Sequence, residues 1–319
     1  MKIVMLERDN VGADLDLSKF GNLGELTIYG RTKPEEIAGR IRDAEIVILN
    51  KMPMNEETMK EALNLKLLCV TATGTDNVDA DYCRKRGIEV RNVKGYSTET
   101  VVQHTFALLF YLWEQMPYYD HYVKSGEYEK NPLFTHFERH FRDLSGKKWG
   151  IVGLGEIGKR VYEVAKAFGA HPVYYSTGHN NNQEGYERVS FDTLLSECDI
   201  ISVHAPLNEN TVGLFDHDAF SKMKNTAYFI NVGRGPIADE NALVWALNNG
   251  EIAGAALDVL SKEPITKDNP LNGIKDSSKL VITPHIAWAS IEARYRLMEG
   301  VYQNIVDYLN QKTEESVVE

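Results

Sequence analysis

Three ionisable side chains of different types follow three successive predicted strands in the second half of the chain. Arg234 lies within the run Asn-Val-Gly-Arg-Gly at 231–235, Glu263 stands before a proline, and His285 stands after one. Because ligands of an open parallel sheet bind beyond the carboxyl ends of its strands, we expect these side chains to share one edge.

The chemistry of this trio fits hydride transfer to a 2-oxo acid. Arg234 can bind a carboxylate through two hydrogen bonds and polarise the neighbouring carbonyl group. His285 can donate a proton to the carbonyl oxygen as hydride arrives and remove it in the reverse direction. Glu263 can hydrogen-bond the imidazole, fix its tautomer and stabilise its protonated form. Alone, each residue is more often a surface ion-pair partner, a solvated loop residue or a structural histidine, so their combination carries the prediction.

A glycine-rich run, Gly153-Leu154-Gly155-Glu156-Ile157-Gly158, lies upstream of the trio near the middle of the chain. An apolar run at 149–152 precedes it, and apolar residues at helical spacing follow it from 161 to 168. The order strand, glycine loop, helix predicts a site for the pyrophosphate of a dinucleotide at the helix N-terminus. The alternative is an ordinary glycine-rich turn between a strand and a helix.

The composition is that of a soluble globular protein of one or two domains. The chain has 319 residues, of which 43% are hydrophobic and 25% charged, with a net charge of −11. It has no basic run, so we expect neither nucleic acid nor a membrane as a partner. Three dispersed cysteines indicate a reducing compartment, and no apolar stretch reaches the ~18 residues of a membrane span. We therefore expect a cytoplasmic protein.

Alternating strands and helices predict an α/β fold with two units, each a doubly wound parallel sheet. The first unit has predicted strands at 2–6, 25–29, 45–49, 66–70 and 89–91, with helices at 34–42 and 56–63. The second has predicted strands at 149–152, 173–175, 200–204, 227–231, 254–257 and 280–283. Further helices are predicted at 98–114 and 291–309.

The stretch at 117–143 is long for a connection and rich in tyrosine, phenylalanine and histidine. It is either an arm that contacts a second subunit or a cover over a site, and its many aromatic residues favour the arm. His121, His136 and His140 lack acidic or cysteine partners at ligand spacing, so we expect no metal. The chain also has no Gly-x-Ser-x-Gly run that would indicate a serine nucleophile.

Across essentially its whole length the chain resembles the D-isomer-specific 2-hydroxyacid dehydrogenases. The matching motifs are Ala72-Thr73-Gly74-Thr75-Asp76-Asn77-Val78-Asp79, the glycine run at 153–158, Asn231-Val232-Gly233-Arg234-Gly235, Leu257-Asp258-Val259 with Glu263-Pro264, and Thr283-Pro284-His285-Ile286-Ala287-Trp288. Within the family, 72–74 and 286–288 look most like glycerate dehydrogenases and hydroxypyruvate reductases.

The resemblance implies two Rossmann-like domains with the active site in the interdomain cleft. The substrate domain would be discontinuous, at 1–96 plus 289–319, and the NAD(P)-binding domain would span 97–288. The arm at about 117–143 would build a homodimer.

The same resemblance assigns residue roles. Arg234 would bind substrate, His285 would be the acid/base, and Glu263 would be its carboxylate partner. Asp258 would contact the nicotinamide carboxamide. The predicted substrate-binding residues are Lys51, Thr73, Gly74, Arg234 and Trp288. The predicted cofactor-binding residues are Gly153, Gly155, Glu156, Ile157, Gly158, Ser176, Thr177, His204, Ala205, Pro206, Val232, Gly233, Arg234, Asp258 and His285.

The sequence leaves the choice between NAD and NADP open. An acidic residue is expected at the end of the second strand of the dinucleotide domain, where it would bind the ribose 2′-hydroxyl. This chain instead has Ser176, Thr177 and His179 there, which can hydrogen-bond a hydroxyl or a phosphate.

We therefore predict an NAD(P)-dependent oxidoreductase that interconverts small 2-oxo acids and D-2-hydroxy acids. Hydroxypyruvate and glyoxylate are the leading substrates, with D-glycerate and glycolate as their products. The alternatives are a D-lactate-type or branched-chain 2-oxo acid reductase, and a non-catalytic dinucleotide-sensing protein on the same fold. The presence of Arg234, Glu263 and His285 together favours an enzyme.

Overall fold

The structure, a computed structural model, describes residues 1–178 and 182–317. His179, which the sequence analysis considers for the cofactor, lies outside these residues. The chain divides into two compact units. One comprises Met1–Ser97 and Ala289–Glu319, and the other comprises Thr98–Trp288.

The first unit is built on a parallel sheet. Its elements up to residue 97 are β1 (Lys2–Met5), β2 (Glu25–Ile28), α1 (Ile37–Ile41), β3 (Ile46–Leu49), α2 (Glu56–Met59), β4 (Leu67–Val70), α3 (Ala80–Arg86) and β5 (Glu89–Arg91). The five strands described here pair in the order β2-β1-β3-β4-β5, all parallel. The uninterrupted apolar runs of β3 and β4 are buried throughout, as is typical of strands covered on both faces.

The helices of the first unit differ in detail from the prediction. The helix predicted at 34–42 begins with a 3-10 turn, Pro34–Glu36. The helix predicted at 56–63 ends at Met59, and tighter turns that bury Ala62 and Leu65 follow it. Helix α3 is absent from the prediction, although Asp79 caps its start.

The second unit is built on a larger parallel sheet. Its elements are α4 (Thr98–Trp113), α5 (Met116–Lys124), β6 (Lys148–Val152), α6 (Glu156–Ala167), β7 (His171–Tyr175), α7 (Phe191–Glu197), β8 (Ile200–Val203), α8 (His217–Lys222), β9 (Tyr228–Asn231), α9 (Glu240–Asn249), β10 (Gly254–Leu257) and β11 (Leu280–Ile282). The six strands of the described residues pair in the order β11-β10-β9-β8-β6-β7. The chain leaves β6 toward β7 on one side and later returns to β8 on the other, so the topological switch lies between β6 and β8. The predicted α/β class with two parallel sheets is confirmed.

The register of this second sheet aligns the ends of five strands. Val152 lies level with Val203, Val203 with Asn231, Asn231 with Leu257, and Leu257 with Ile282. Whatever follows these residues in sequence is therefore presented along one line at the carboxyl edge. This register places the candidate site.

The arm differs from the irregular stretch predicted at 117–143. It begins with helix α5, whose first turn contains Pro117. Proline suits that position because a first-turn residue needs no N–H hydrogen bond within the helix. Gln115, with φ of 54°, separates α5 from α4. The described residues 125–143 add no further helix or strand.

The chain ends in α10 (Ile291–Val317), which is longer than the helix predicted at 291–309. Its buried stripe, spaced by four residues, belongs to the first unit and comprises Ala293, Leu297, Val301 and Ile305. The extra turns consist mostly of polar residues, so no apolar periodicity in the sequence predicted them. Even this helix is not apolar enough to cross a membrane, and neither is any other helix of the described chain.

Candidate active site

Glycine contacts bring the loop after β6 against the loop after β8. Gly153 has φ of 90°, a conformation that disfavours side chains, and a Cβ there would lie 2.9 Å from the backbone nitrogen of Ala205. A Cβ on Gly158 would overlap the carbonyl oxygen of Gly153. These two glycines therefore fix the packing of strand, loop and helix. A Cβ on Gly155 would meet nothing within 4 Å among the described residues, so the loop is open at that residue.

The N-terminus of α6 differs from those of α3, α7, α8 and α9. The N-cap side chains Asp79, Ser190, Asp216 and Asp239 accept backbone N–H groups of those four helices. In the described structure no side chain caps α6, whose N-cap is Gly155. Its first-turn N–H groups and the positive end of the helix dipole suit an anion such as a pyrophosphate. Two predicted cofactor contacts, Glu156 and Ile157, form that first turn.

The segment that follows β7 carries two hydroxyl groups, those of Ser176 and Thr177. Ser176 donates a hydrogen bond from Oγ to the carbonyl oxygen of Gly178, at 2.9 Å. Thr177 is half-buried. No carboxylate stands among 176–178 to repel a 2′-phosphate.

His204 follows β8 and has a buried nitrogen without a partner. Its Nε2 lies 3.0 Å from the Oγ of Ser202, which also accepts a hydrogen bond from the indole of Trp149 at 2.8 Å. Its Nδ1 is buried and pairs with no described residue. Burial lowers the pKa of His204 from 6.5 to about 3, so the imidazole is neutral. An unpaired buried nitrogen on the edge that also carries the glycine loop fits a polar group of a bound dinucleotide.

The loop after β9 holds Arg234 in place through Asn231. The buried Asn231 accepts a hydrogen bond from the backbone of Gly233 and donates one to the carbonyl oxygen of Arg234, both at 3.0 Å. Arg234 itself donates to the carbonyl oxygen of Gly233 at 2.9 Å. A Cβ on Gly235 would overlap the backbone of Leu260, so only glycine lets this loop pack against the loop that carries Glu263.

Glu263 and His285 form the predicted pair. The Nδ1 of His285 lies 2.7 Å from Oε2 of Glu263, and the other carboxylate oxygen accepts the backbone N–H of Leu260 at 2.9 Å. Glu263 is thereby held between its own loop and the imidazole. With Nδ1 engaged, Nε2 is the nitrogen of His285 that can serve a substrate.

Asp258 anchors the loop that bears His285. Its buried carboxylate, 1% exposed, accepts the backbone N–H groups of Ile286 at 2.9 Å and Ala287 at 2.8 Å. The hydroxyl of Thr283 donates to it at 2.5 Å. His285 has φ of 55°, a strained conformation for a residue with a side chain.

The remaining predicted residues of this unit fall on the same edge. Ala205 and Pro206 follow β8, Val232 follows β9, and Trp288 closes the segment after β11. The structure thus brings the predicted trio and the cofactor set of the second unit onto one sheet edge.

The predicted substrate residues of the first unit lie at the carboxyl edge of its own sheet. Lys51 follows β3, and Thr73 and Gly74 follow β4. Thr73 donates from Oγ1 to the carbonyl oxygen of Val93 at 3.1 Å, and Asn92 donates to the carbonyl oxygen of Thr73. Backbone and side chains of the loop after β5 therefore fix the position of Thr73.

Glu7 is a residue that the sequence analysis missed. Its buried carboxylate, 4% exposed, accepts the backbone N–H groups of Asn50 at 2.7 Å, Lys51 at 2.9 Å and Met52 at 3.1 Å. The amide of Asn77 donates to the carbonyl oxygen of Met52 at 2.7 Å. The only signal in the sequence is an acidic residue directly after a buried strand.

The arm histidines form no metal site. Among the described residues, no group of three or more histidine, cysteine, aspartate and glutamate side chains can hold a metal ion. His136 stacks on Tyr122 with ring centroids 3.8 Å apart and hydrogen-bonds the hydroxyl of Tyr118 at 2.7 Å. It serves the packing of the arm.

An uncapped helix beside a glycine loop, with an arginine and a carboxylate-paired histidine on the same edge, defines a dinucleotide-dependent oxidoreductase. A sequence model described as "D-isomer specific 2-hydroxyacid dehydrogenase, NAD binding domain" matches residues 106–287. The chain belongs to this family of D-isomer-specific 2-hydroxyacid dehydrogenases, which confirms the predicted resemblance. It is therefore an oxidoreductase that acts on CH–OH donors, with NAD or NADP as cofactor.

Similar proteins cover nearly the whole chain. Hydroxypyruvate reductase of Blautia hydrogenotrophica is 38% identical over 97% of each chain. Glycerate dehydrogenase of Methylorubrum extorquens is 35% identical over 99% of this chain and 98% of its own. Among solved structures, an acyclic imino acid reductase in complex with NADPH and D-Arg has a TM-score of 0.87 and 30% identity, over 98% of both chains.

Proposed function

We propose that this protein reduces hydroxypyruvate and glyoxylate to D-glycerate and glycolate and catalyses the reverse oxidations. The observation that carries the proposal is the 2.7 Å pair of Glu263 and His285 on the edge that also presents Arg234 and the glycine loop. The names of the two relatives, hydroxypyruvate reductase and glycerate dehydrogenase, support this substrate class.

The proposed reaction assigns one task to each residue of the trio. The bound dinucleotide supplies or accepts the hydride. Arg234 binds the substrate carboxylate and polarises the carbonyl group. His285 donates the proton from Nε2 during reduction and takes it back during oxidation, while Glu263 stabilises the charged imidazole.

We further propose that the unit Thr98–Trp288 binds the cofactor and that the other unit contributes substrate contacts. Lys51, Thr73 and Gly74 are the proposed contacts of the first unit, and Trp288 is that of the second. Variants of Lys51 and Trp288 that change the substrate KM without changing cofactor affinity would support these roles. Variants that leave every substrate KM unchanged would contradict them.

A substrate panel with both reduced cofactors tests the function. Hydroxypyruvate, glyoxylate, pyruvate and a branched-chain 2-oxo acid are each mixed with the protein and NADH or NADPH, and the loss of reduced-cofactor absorbance is followed. The proposal expects the highest kcat/KM for hydroxypyruvate or glyoxylate. A higher value for pyruvate or the branched-chain acid would favour the alternative reductases. Cofactor binding without turnover of any acid would favour a sensing protein.

We propose that the arm forms a homodimer contact. Its residues 125–143 expose large apolar side chains, with Phe134 90% and Phe137 70% exposed. Such a surface is typical of one that another protein covers. Size-exclusion chromatography with light scattering should give twice the chain mass for the wild type and a lower mass for Phe134→Ser with Phe137→Ser. A monomeric wild type would contradict the proposal.

We also propose a reducing, cytoplasmic location. The three cysteines are free and buried, and burial raises the pKa of Cys69 and of Cys198 to about 12. Structural thiols of this kind are typical of proteins kept in a reducing compartment. Fractionation of cells that express a tagged chain tests the location.

A further inference from the structure

We propose that His104 is a positioning residue for His285 and acts through Thr283 and Asp258. The inference rests on the proposed function, since it needs His285 as the acid/base. His104 lies on α4, far in sequence from the trio, and no motif of the sequence analysis includes it.

A short series of hydrogen bonds connects His104, Thr283 and Asp258. The Nε2 of His104 lies 2.9 Å from the Oγ1 of Thr283 and 3.6 Å from the Oδ1 of Asp258. The Thr283 hydroxyl lies 2.5 Å from the same Asp258 oxygen. The His104 side chain is 19% exposed and the Asp258 side chain 1%, so water competes little for these bonds.

The number of hydrogens that each group carries sets the direction of these hydrogen bonds. A threonine hydroxyl has one hydrogen, and here it points to the Asp258 carboxylate. The Thr283 oxygen must then accept from His104, which places a hydrogen on Nε2. His104 therefore donates to Thr283, and Thr283 donates to Asp258.

This series of hydrogen bonds ends at the segment that holds His285. Asp258 accepts the N–H groups of Ile286 and Ala287, directly after the histidine. The N–H of His285 donates to the carbonyl oxygen of Thr283, two residues before it, at 3.0 Å. Thr283 and Asp258 thus fix both sides of a residue whose φ of 55° is unfavourable by itself. His104 keeps the Thr283 hydroxyl aimed at Asp258 and so helps to hold that conformation.

This arrangement predicts a loss of catalytic rate without a loss of cofactor affinity. His104→Leu removes the donor, so the Thr283 hydroxyl can rotate and the His285 segment loosens. Small displacements of a proton donor cost about ten- to a hundredfold in rate. His104→Gln retains an N–H donor and should restore most of kcat, and Thr283→Val should resemble His104→Leu. Because His104 and Thr283 act in one chain, the double variant should lose little more than either single one.

The experiment measures kcat, KM, NADH affinity and backbone hydrogen exchange in the purified full chain. His171→Leu, an exposed histidine at the start of β7, is the matched control. We expect His104→Leu and Thr283→Val to lower kcat, to leave the NADH Kd unchanged and to speed exchange of the N–H groups of Ile286 and Ala287. We expect His104→Gln to exchange like the wild type.

The outcomes separate this inference from the proposed function. A wild type without turnover of any 2-oxo acid would overturn the proposed function, and the exchange data would still report on the His104 chain. An active wild type whose kcat and exchange rates are unchanged in His104→Leu would overturn the inference. A His104→Gln variant as slow as His104→Leu would also overturn it, because the proposed role is hydrogen-bond donation.

Discussion

The loop after β3 in the first unit and the loop after β6 in the second differ in how their backbone N–H groups are paired. In the first unit the Glu7 carboxylate takes up three consecutive N–H groups, those of Asn50, Lys51 and Met52. In the second unit the loop after β6 packs through glycine contacts, and the helix N-terminus at Gly155 has no side-chain cap within the described structure.

The difference supports the proposal that the second unit binds the anionic cofactor. A loop whose N–H groups are already paired cannot offer them to a phosphate, but it can present a side chain such as Lys51 from a rigid backbone. A helix N-terminus without a side-chain cap can offer its first-turn N–H groups to the phosphates directly. Sheets of the same kind can thus serve different parts of one reaction.

The largest predicted effect concerns proton transfer, which we assign to the carboxyl edge of the second unit. His285→Ala removes the proton donor and should lower kcat for hydroxypyruvate about 10²–10⁴-fold, with NADH affinity little changed. Steady-state kinetics and a fluorescence titration with NADH measure the two quantities. Turnover at the wild-type rate would remove His285 from the acid/base role, and His171→Ala controls for loss of an unrelated histidine.

Substitutions at two glycines of the second edge distinguish a role in packing from a role in contacting the cofactor. Gly153→Ala places a Cβ at φ of 90° and 2.9 Å from the Ala205 backbone, so it should cost about 1–3 kcal/mol of unfolding free energy and weaken cofactor binding. Gly155→Ala meets open space, so it should leave stability unchanged and weaken cofactor binding alone. Denaturant unfolding and NADH titration check both variants. Equal stability losses would show that glycine contacts do not distinguish the two positions.

Substitution of Glu7 tests the carboxyl edge of the first unit in the same way. Glu7→Ala leaves three backbone N–H groups without their acceptor and should cost about 1–3 kcal/mol of stability. It should also raise the substrate KM while sparing NADH affinity, because Lys51 loses its rigid support. Unfolding curves and kinetics provide the readout, with the exposed Glu35→Ala as control. A change in NADH affinity as large as that in KM would break the proposed division between the edges.

The last prediction concerns His204 on the second edge. Burial lowers its pKa to about 3 in the folded protein, against 6.5 for the free side chain. Between these values the unfolded chain binds a proton that the folded chain does not, so stability falls as the pH falls below about 6.5. The slope from this group is about 1.4 kcal/mol per pH unit. His204→Asn cannot titrate and should show a shallower slope between about pH 6 and about pH 5; an unchanged slope would contradict the burial of this imidazole.

Local patterns were enough to predict the sheets and the positions of the trio. Apolar runs indicated the strands, and the residues after the strands of a parallel sheet share an edge whatever the details of packing. The predicted fold class and family are confirmed, whereas the residue roles stay predictions.

Contacts between distant residues were not predictable in this way. Glu7 and His104 matter because of the sheet register and the packing of α4, which no short motif encodes. Tighter turns replace the end of the helix predicted at 56–63, and the helical start of the arm follows a left-handed residue at Gln115. Cofactor preference stays open because hydroxyl groups at Ser176 and Thr177 suit both dinucleotides.

Backbone hydrogen exchange with and without NADH or NADPH tests the central contrast most directly. The N–H groups of the glycine loop and the first turn of α6, at 154–158, should become protected when the cofactor binds, whereas that of Gly153 already donates to the carbonyl oxygen of Tyr175. Those at 50–52 should be protected already in the free protein, by Glu7, and should change little. Cofactor-induced protection at 50–52 without any at 154–158 would contradict the account.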